Sequence, residues 1–321
     1  MKEEMLTKNY IITVHKNPRQ LKRLIDRLND DNSLFFIHVD LKTDIRTFEH
    51  LQQKSNVIFI DKRIDCVWGD FSQVRATLNL IDKVLQYNKH GYIIFISGQD
   101  YPIKSNSEIN NYLKQNSNYD FIDYELDPID KNSNTYETRI KKYKINLSSS
   151  RGDHILLHSI FSLTKSDLKT ILKVLIKRRI NPLIFRPIFT LKRKSMFKYH
   201  YKGTNWWCLK TSTVEKAYKY YLSNQKYLNN YYKYTLCADE QFFQTILKEL
   251  STIDTTINIL PNLHFIDWSR KNEPRPATFK ITDSELLFNQ PKNKLFARKF
   301  DSDVDEEILN LLDQKLSSSH L

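Results

Sequence analysis

The fold is decided by residues 66–104, which read CVWGDFSQVRATLNLIDKVLQYNKHGYIIFISGQDYPIK. Asp70 stands before apolar residues at i, i+4, i+7 and i+11, which predicts an amphipathic helix whose start is a capping box of Asp70 and Gln73. An unbroken apolar run at residues 92–96 then predicts a strand that is covered on both faces. The polar residues 97–102 follow it directly, where open α/β sheets bind their ligands, although an ordinary polar turn is the simpler alternative.

Shorter apolar runs before this stretch predict the rest of a sheet. They cover residues 10–14, 34–39 and 56–60, and helices are expected to begin after Asn17 and Thr43. This alternation of strands and helices predicts a parallel nucleotide-binding sheet. Neither G-x-G-x-x-G nor the P-loop pattern G-x-x-x-x-G-K-[ST] occurs, so side chains are expected to bind phosphate. That combination favours a sheet of the GT-A glycosyltransferase kind over a dehydrogenase or a kinase.

The composition favours one large globular unit in a reducing compartment. The chain has 321 residues, 40% of them hydrophobic, and its three cysteines (Cys66, Cys208, Cys237) lack C-x-x-C spacing. No charged-then-apolar leader and no apolar run of about 18 residues occurs, so we expect neither a signal peptide nor a membrane span. A cytoplasmic location is the simplest expectation. The formal charge of +13 predicts an anionic partner, such as a nucleotide, a nucleic acid or a membrane surface.

Residues 168–214 contain twelve Lys and Arg residues and no acidic residue, interleaved with large apolar side chains. This pattern is typical of a surface that contacts an anionic membrane or another polyanion, and a solvated basic face is an equally good interpretation. Just before this segment, His154 and His158 are predicted to share one helical face. Without an H-E-x-x-H pattern, they are interpreted as structural or exposed residues and not as zinc ligands.

Two later motifs contain candidate site residues. GTNWWCLK at 203–210 predicts a strand whose Trp206 and Trp207 point to opposite faces, one into the core and the other available to a sugar ring. CADEQFFQTIL at 237–247 places Asp239 and Glu240 at the start of an apolar helix. Acidic residues there can serve simply as a cap and a first-turn charge, or a carboxylate at the mouth of a cleft can act as a general base.

Six motifs stand in one order along the chain: WGDFSQVRATLN, SGQDYPIK, GTNWWCL, ADEQFF, FIDWS and FARKFDSDVD. Over about residues 10–312 this order resembles the core-2/I-branching glycosyltransferases and peptide O-xylosyltransferases, glycosyltransferase family 14. The resemblance implies a GT-A-like α/β fold, with a mostly parallel central sheet flanked by helices, in a single catalytic domain. Within it, residues 1–125 would bind the nucleotide sugar, residues 126–270 would bind the acceptor and hold the base, and residues 271–321 would close over the donor diphosphate. Because the chain lacks the membrane anchor, stem and disulfides of the animal enzymes, it is similar to a bacterial, cytoplasmic member.

The resemblance also implies roles for individual residues. Glu240 matches the catalytic base, although ADE stands here where the animal enzymes have SPDE, which changes the backbone that enters the helix. The donor side is implied to hold these residues: Val14, His15, Asp40, Asp100, Arg275, Arg298 and Lys299. Arg275 is offset by one position from the family pattern, and Arg298 or Arg270 could substitute for it as the second diphosphate cation. On the acceptor side Glu137 and Trp268 match, and Trp207 is the candidate from the tryptophan pair.

The implied reaction is an inverting transfer from a UDP-sugar that needs no metal ion. GlcNAc or xylose is the expected sugar, and a glycan or a lipid-linked saccharide is the expected acceptor. In the nucleotide half, only residues 38–40, His-Val-Asp, resemble the metal-binding D-x-D pattern that other GT-A enzymes have after a strand of that half. Lys299 and an arginine are therefore expected to neutralise the leaving diphosphate. Two alternatives stay open at this point: a basic nucleic-acid-binding protein, and a catalytically inactive sugar-binding relative.

Overall fold

A computed structural model describes residues 6–87, 90–125, 127–178, 181–190, 193–273 and 275–318 of the chain. The strands of this fold are short, and β1 is the longest of those described. In chain order they are β1 (Thr7–Val14), β2 (Ser33–Val39), β3 (Val57–Phe59), β4 (Gly91–Ser97), β5 (Asp100–Pro102), β6 (Tyr119–Ile122), β7 (Tyr143–Asn146), β8 (His154–Leu157), β9 (Trp207–Lys210), β10 (Asn258–Leu260), β11 (His264–Ile266) and β12 (Phe296–Arg298).

Helices separate most of these strands. They are α1 (Pro18–Leu28), α2 (Phe71–Gln86), α3 (Asn106–Gln115), α4 (Lys165–Arg178), α5 (Arg186–Thr190), α6 (Thr211–Ser223), α7 (Gln225–Tyr232), α8 (Phe242–Ser251), α9 (Ser284–Phe288) and α10 (Glu307–Ser318). Shorter segments are 3-10 helical at Ile45–Gln53, Ile160–Ser162, Pro182–Phe185, Ala238–Glu240 and Ile281–Asp283, and π-helical at Tyr136–Lys141. None of the helices described here combines the length and the apolar character that crossing a bilayer requires.

A seven-stranded sheet forms the centre of the fold, in the order β10-β6-β9-β4-β1-β2-β3. β1 is parallel to β2 and β4, and β2 is parallel to β3, which confirms the predicted parallel sheet. β9 runs antiparallel to both of its neighbours, β4 and β6. The sheet is therefore mostly parallel and flanked by helices, as in GT-A-like folds. Strands from 7–122 and from 207–260 share it, and the division of the domain near residues 125 and 270 stays a prediction.

Helices cover both faces of this sheet. Along β4, Tyr92, Ile94 and Ile96 join the core beneath α1, α3 and α10, whereas Ile93 and Phe95 join the core beneath α2, α6 and α8. All five side chains are buried. Burial on both faces requires apolar residues at every position, which explains the absence of alternation in the sequence and confirms that prediction.

The predicted helix after Asp70 is confirmed as α2, with one difference at its start. The Asp70 carboxylate accepts a hydrogen bond from the Ser72 N–H at 2.8 Å. The Gln73 side chain, however, accepts from the N–H of Gly69 at 3.1 Å and not from that of Asp70, so the capping box is not formed. The backbone of Gly69 is left-handed (φ 62°) where the chain turns into α2, and its amide is the one that meets Gln73.

The helix predicted after Thr43 is a 3-10 segment that begins one residue later. The Asp44 side chain accepts from the Arg46 N–H at 3.1 Å, whereas the Thr43 hydroxyl donates to the carbonyl of His15 at 2.9 Å. A carboxylate is the stronger acceptor, so it takes the capping position.

The predicted helical face of His154 and His158 is wrong. His154 lies in β8, which pairs antiparallel with β7 as a hairpin, and His158 follows directly after that strand. The apolar side chains of β7 and β8 pack with Val174, Phe185 and Ile188 in a small separate core. Pairing with β7 therefore overrides the helical spacing of the two histidines.

A second sheet brings the C-terminal part of the chain against the nucleotide half. Its order is β11-β12-β5, and β12 runs antiparallel to β5 with Arg298 opposite Asp100. Behind it, α10 buries Ile308, Leu309 and Leu312 in the same core as α1. Arg298 and its neighbour Lys299 are thereby placed near the carboxyl end of β4.

Candidate active site

The carboxyl ends of β1, β2 and β4 meet at one edge of the central sheet. The parallel registers of β1 with β2 and with β4 make the residues that follow each strand neighbours. The Asp40 N–H donates a hydrogen bond to the carbonyl of Val14 at 2.8 Å. Val14, His15 and Asp40, which the sequence assigns to the nucleoside side, are thus brought together.

Asp40 is fixed by the backbone around it. Its Oδ1 accepts from the Lys42 N–H at 2.9 Å and its Oδ2 from the Cys66 N–H at 3.3 Å. Burial is the largest cause that lowers the pKa of His15, and the charges of Lys16 and Arg298 lower it further. The charge of Asp40 opposes this shift. A neutral imidazole can both donate and accept hydrogen bonds. The described part of the chain holds no group of three or more His, Cys, Asp or Glu residues suited to a metal ion.

Asp100 lies beneath this edge and not on its surface. Its side chain has no exposed area, and its Oδ2 accepts from the Ser97 N–H and from Nη1 of Arg298, the latter at 3.2 Å. Burial raises the pKa of Asp100, and the positive charge of Arg298 opposes that shift. Because the carboxylate has no surface that a donor could touch, its assignment to donor contact is corrected: Asp100 positions Arg298.

Positively charged side chains converge around Lys299. Burial and the charge of Arg298 lower the pKa of Lys299. Arg151 and Lys16 act in the same direction, and Asp301 opposes them. Lys16 forms an ion pair with Asp301 at 2.5 Å, whereas Lys299 has no carboxylate within ion-pair distance among the described residues. An ammonium group held among like charges is suited to an anionic ligand such as a diphosphate.

The structure narrows the choice of the second diphosphate cation. Arg270 is occupied by Asp267 at 2.8 Å and by Asp283 at 2.7 Å. Arg275 is exposed, and no described contact joins it to Lys299, so its role stays a prediction. Arg298 and Arg151 are the arginines whose charges act on Lys299. Sequence reasoning missed Arg151 because it lies in a serine-rich loop without any periodic pattern.

Glu240 ends the 3-10 segment Ala238–Glu240. Its Oε2 accepts from Nη1 of Arg139 at 2.6 Å, while its side chain stays 35% exposed. Its backbone carbonyl accepts from the Gly203 N–H at 2.9 Å. Only glycine fits there, because a Cβ at position 203 would lie 1.7 Å from the carbonyl oxygen of Asp123. The carboxylate is therefore anchored through one oxygen and remains open to a substrate.

Asp239 is the other carboxylate of this motif that could act as the general base. Burial first, and the charge of Glu240 second, raise the pKa of Asp239 to about 7. Its Oδ1 is buried and has no hydrogen-bond partner in the part of the chain that the structure describes. Since Glu240 is exposed and the Asp239 oxygen is buried, a hydroxyl group from solvent would reach Glu240. A carboxyl group with a pKa near neutrality is frequent at functional sites.

Arg193 holds Arg139 in place. Its Nε donates to the carbonyl of Ile140 at 2.7 Å and its Nη2 to the carbonyl of Arg139 at 2.9 Å. The same guanidinium lies over the ring of Tyr231, 4.5 Å from its centroid. Arg193, which the sequence analysis included in a basic surface, thus supports the π-helical segment Tyr136–Lys141 and, through it, the ion pair of Arg139 with Glu240.

His158 anchors the same segment from the other side. Its Nε2 lies 2.6 Å from Oε1 of Glu137, and its Nδ1 lies 2.8 Å from Oδ2 of Asp167. A neutral imidazole has one N–H, so the ring can donate to both carboxylates only as an imidazolium. Burial alone would raise the pKa of Asp167, but hydrogen bonds from Thr164 and His158 outweigh it and lower that pKa. This bridge joins Glu137 to the start of α4.

Both tryptophans of the pair are buried in the core, and Trp206, 9% exposed, is the one whose ring contacts Arg298. Trp207 has no exposed area and packs against Phe95 and Phe243. It cannot contact an acceptor, so its assignment is corrected: the antiparallel pairing of β9 turns it into the core. The ring of Trp206 lies beneath the Arg298 guanidinium, 4.4 Å from centroid to carbon. Trp268 is 50% exposed, so its assignment to the acceptor stays a prediction.

Arg151 and Trp68 contact each other near both parts of the candidate site. The Arg151 guanidinium lies 4.7 Å from the centroid of the Trp68 ring, which is 44% exposed. The next residue, Gly69, accepts a hydrogen bond from the Cys237 N–H at 3.0 Å, close in sequence to Glu240. The charge of Arg151 also acts on Lys299, so Arg151 is the residue through which we relate the cations to the segment of the base. An exposed tryptophan just before a helix cap was the only sequence signal of this contact.

The structure combines a GT-A-like sheet, cations at the carboxyl edge of that sheet and a partly exposed carboxylate. These features are those of the glycosyltransferase class of enzymes. The family described as "Core-2/I-Branching enzyme" matches residues 9–290 of the chain. The chain therefore belongs to this family, glycosyltransferase family 14, and the resemblance drawn from the six motifs is confirmed.

Xylosyltransferases are among the proteins to which this chain is similar. Xylosyltransferase 2 of Homo sapiens is 28% identical over 333 residues, which cover 97% of this chain and 34% of that protein. Xylosyltransferase 2 of Canis lupus familiaris is 27% identical with the same coverage. Xylosyltransferase 1 of Rattus norvegicus is 24% identical over 331 residues, which cover 97% of this chain and 35% of that protein. The chain spans about a third of the length of these relatives.

The His158 bridge makes a testable contribution to stability. Asp167→Asn keeps an oxygen for the cap of α4 but removes the charge that faces His158. We therefore expect the free energy of unfolding to fall by about 1–3 kcal/mol at pH 7. The folded-state pKa of Asp167 is lowered, so its contribution is present above the usual carboxyl pKa of about 4 and disappears as pH falls through the lower folded value. Thermal unfolding should show the variant approaching the wild type between about pH 5 and pH 2.

Asp61→Asn is the matched control, because Asp61 is exposed and makes no side-chain contact among the described residues. It should change the unfolding temperature little at any pH. Equal stability of Asp167→Asn and wild type at pH 7 would contradict the bridge.

Proposed function

We propose that the protein transfers a sugar from a UDP-sugar to a hydroxyl group of a glycan or a lipid-linked saccharide, with inversion at the anomeric carbon. The observation that supports this most is the ion pair of Arg139 with the partly exposed Glu240. The cations around Lys299, among them Arg151, support the same proposal. Similarity to xylosyltransferases makes xylose a first donor to test, and GlcNAc is the second.

Glu240 acts as the general base in this mechanism. It accepts the proton of the acceptor hydroxyl while that oxygen forms a bond to C1 of the sugar. The bond between C1 and the diphosphate oxygen breaks, and its electron pair remains on the departing UDP. Attack from the face opposite the diphosphate converts an α-linked donor into a β-glycoside. Arg139 keeps the carboxylate oriented through its hydrogen bond to Oε2.

Lys299, Arg298 and Arg151 act on the leaving group. The diphosphate gains negative charge as the bond to C1 breaks, and preorganised cations stabilise that charge in the transition state. Val14, His15 and Asp40 are expected to contact the nucleoside. Because the two oxygens of Asp40 already accept backbone hydrogen bonds and the charges of Arg298 and Arg151 act on Lys299, we infer that transfer needs no divalent metal.

The first test is Glu240→Gln. It should reduce transfer by about 10²–10⁴-fold, as loss of a general base does, and leave UDP affinity nearly unchanged. Sugar transfer and UDP binding are measured on the same protein with a panel of UDP-sugars. Asp239→Asn is the contrasting variant and should keep more activity, since its carboxylate is buried. Wild-type turnover by Glu240→Gln would refute the assignment, and stabilisation by an oligonucleotide in place of UDP would favour the nucleic-acid-binding alternative.

The second test concerns the metal and Lys299. Activity should persist in EDTA, and Lys299→Ala should lose about 10²–10³-fold in rate, as for removal of one preorganised transition-state contact. Arg151→Ala should act in the same direction, and Arg275→Ala reports whether the exposed arginine contributes at all. Lys271→Ala, at another exposed lysine, serves as the control. Loss of turnover in EDTA that manganese or magnesium restores would establish the metal-dependent alternative.

We also propose that the protein contacts an anionic membrane through α4 and residues 182–190. Along α4, Leu172 is 58% and Ile176 75% exposed, while Val174 on the opposite side is buried. Lys169 and Lys173 are exposed next to the apolar pair. A helix with exposed apolar and basic side chains is typical of surfaces that lie on anionic bilayers.

Fewer residues of the basic segment 168–214 are available to a membrane than the sequence suggests. Arg193 and Lys210 are occupied by backbone carbonyls, to which both side chains donate. Asp167 beside the segment is occupied by the His158 bridge. Residues 179, 180, 191 and 192 lie outside the described residues. A cytoplasmic location on the inner membrane face stays a prediction that goes with this proposal.

Vesicle binding tests the membrane contact. The protein should sediment with phosphatidylglycerol vesicles at low ionic strength and less so at about 0.15 M salt, because surface charges are then screened over about 8 Å. Replacing Lys169, Lys173 and Ile176 by serine should abolish the binding. Replacing the exposed Lys62 and Lys292 should not. Absence of sedimentation at low salt, or an equal effect of both sets, would contradict the proposal.

A further inference from the structure

A cavity of about 1060 Å³ lies beside α2, and the proposed mechanism does not use it. Its walls come from the first turns of α2, from β7, from residues 183–187, and from α7 with the residues that follow it. Neither Glu240 nor Lys299 lines it. The cavity therefore includes neither the proposed base nor Lys299, although the charge of its wall residue Lys144 acts on Asp239 beside that base.

The charges of the wall are mainly positive. Its cationic side chains are Arg75, Lys144, Arg186 and Lys233, and Asp70 is the single carboxylate among its described residues. Positive charge thus exceeds negative charge in the wall.

Asp70 is already occupied. It accepts hydrogen bonds from the Ser72 N–H at 2.8 Å and from Nδ2 of Asn146 at 2.9 Å. It also forms an ion pair with the buried Lys144 at 3.5 Å. The charges of Asp70 and Lys144 therefore cancel within the wall, and Asp70 is not available to neutralise Arg75 or Lys233. An anion that entered the cavity would meet these two cations without competition from a carboxylate of the wall.

One wall belongs to the surface that we propose faces a membrane. Leu183, Ile184 and Pro187 line the cavity, and Leu183 is 71% exposed. An apolar rim beside a basic interior matches the two parts of a membrane lipid, its acyl chains and its phosphate-bearing head. The volume also exceeds what a bare phosphate occupies, which leaves room for a group attached to it.

We propose that this cavity is a phosphate-binding site, in which Arg75 and Lys233 bind a phosphate or diphosphate group carried by a membrane lipid or free in solution. Arginine and lysine are the side chains suited to phosphate oxygens. The lipid source rests on the membrane contact proposed above, whereas the free source does not.

Calorimetric titration with inorganic pyrophosphate tests the free source. Saturating UDP occupies the donor site, and the titration is repeated on Lys299→Ala protein to remove any donor-site contribution. The double variant Arg75→Ser/Lys233→Ser should bind pyrophosphate about tenfold to hundredfold more weakly than the protein that carries both cations. Both side chains are exposed, so the variant is expected to fold, which its unfolding temperature checks.

Lys219→Ser/Lys226→Ser is the matched control. These lysines are exposed on α6 and α7 but do not line the cavity, so the variant removes the same charge from the same neighbourhood. It should bind pyrophosphate within about twofold of wild type. An equal loss in both double variants would mean diffuse attraction and would overturn the proposal.

Phosphatidylglycerol vesicles test the lipid source, with soluble glycerol phosphate as the comparison. Weaker vesicle binding by the cavity variant, with no effect of the control variant, supports a lipid phosphate. If the cavity variant binds pyrophosphate more weakly but binds vesicles normally, the result supports a phosphate group that is free in solution. Absence of a cavity-specific loss with either probe overturns the proposal. UDP binding in the same experiments reports separately on the donor site, so failure of the cavity and failure of the proposed function are distinguishable.

Discussion

The candidate site depends on the buried pair of Asp100 and Arg298. Asp100 has no exposed area, and leaving such a carboxylate without its partner costs on the order of 3–5 kcal/mol. β12 must therefore lie against β5 in the register that sets Arg298 opposite Asp100. Gln20 secures this arrangement, because its side-chain amide donates to the carbonyls of Gly98 and Phe300 at 2.9 and 3.1 Å. Lys299 takes its place among the cations as a consequence.

The other half of the site is positioned by contacts that do not face the cleft. Arg193 donates to the carbonyl of Arg139, and Arg139 then donates to the exposed carboxylate of Glu240. The His158 bridge holds Glu137 on the same segment. Each of these polar groups is satisfied by a charged partner, which fixes the segment more firmly than neutral hydrogen bonds would. The geometry of the base is thus set by side chains outside its immediate surroundings.

The net positive charge of the chain serves several separate purposes. Arg193 and Lys210 satisfy backbone carbonyls, Arg193 in a partly buried place and Lys210 near the surface. Lys299 stands among like charges, and burial first and those charges second lower its pKa. Such repulsion disfavours the empty site and is relieved by an anionic ligand, so donor binding is expected to stabilise the folded protein. The lysines of α4 face solvent, where salt screens their charge beyond about 8–10 Å. Net charge alone could not separate these uses.

Local patterns in the sequence were enough to predict β4, α2 and the parallel sheet, because burial on one or both faces directly restricts residue type. The order of short motifs was enough to predict the family and to single out Glu240 and Lys299 as candidates. Tertiary structure alone decided that Asp100 points inward and that Trp206, not Trp207, meets Arg298. It also revealed the pair of Arg139 with Glu240, which are 101 positions apart, and that of Asp100 with Arg298, 198 apart. Contacts at such separations leave no periodic signal, since they depend on how the strands are ordered in the sheets and on which side chains that order brings together.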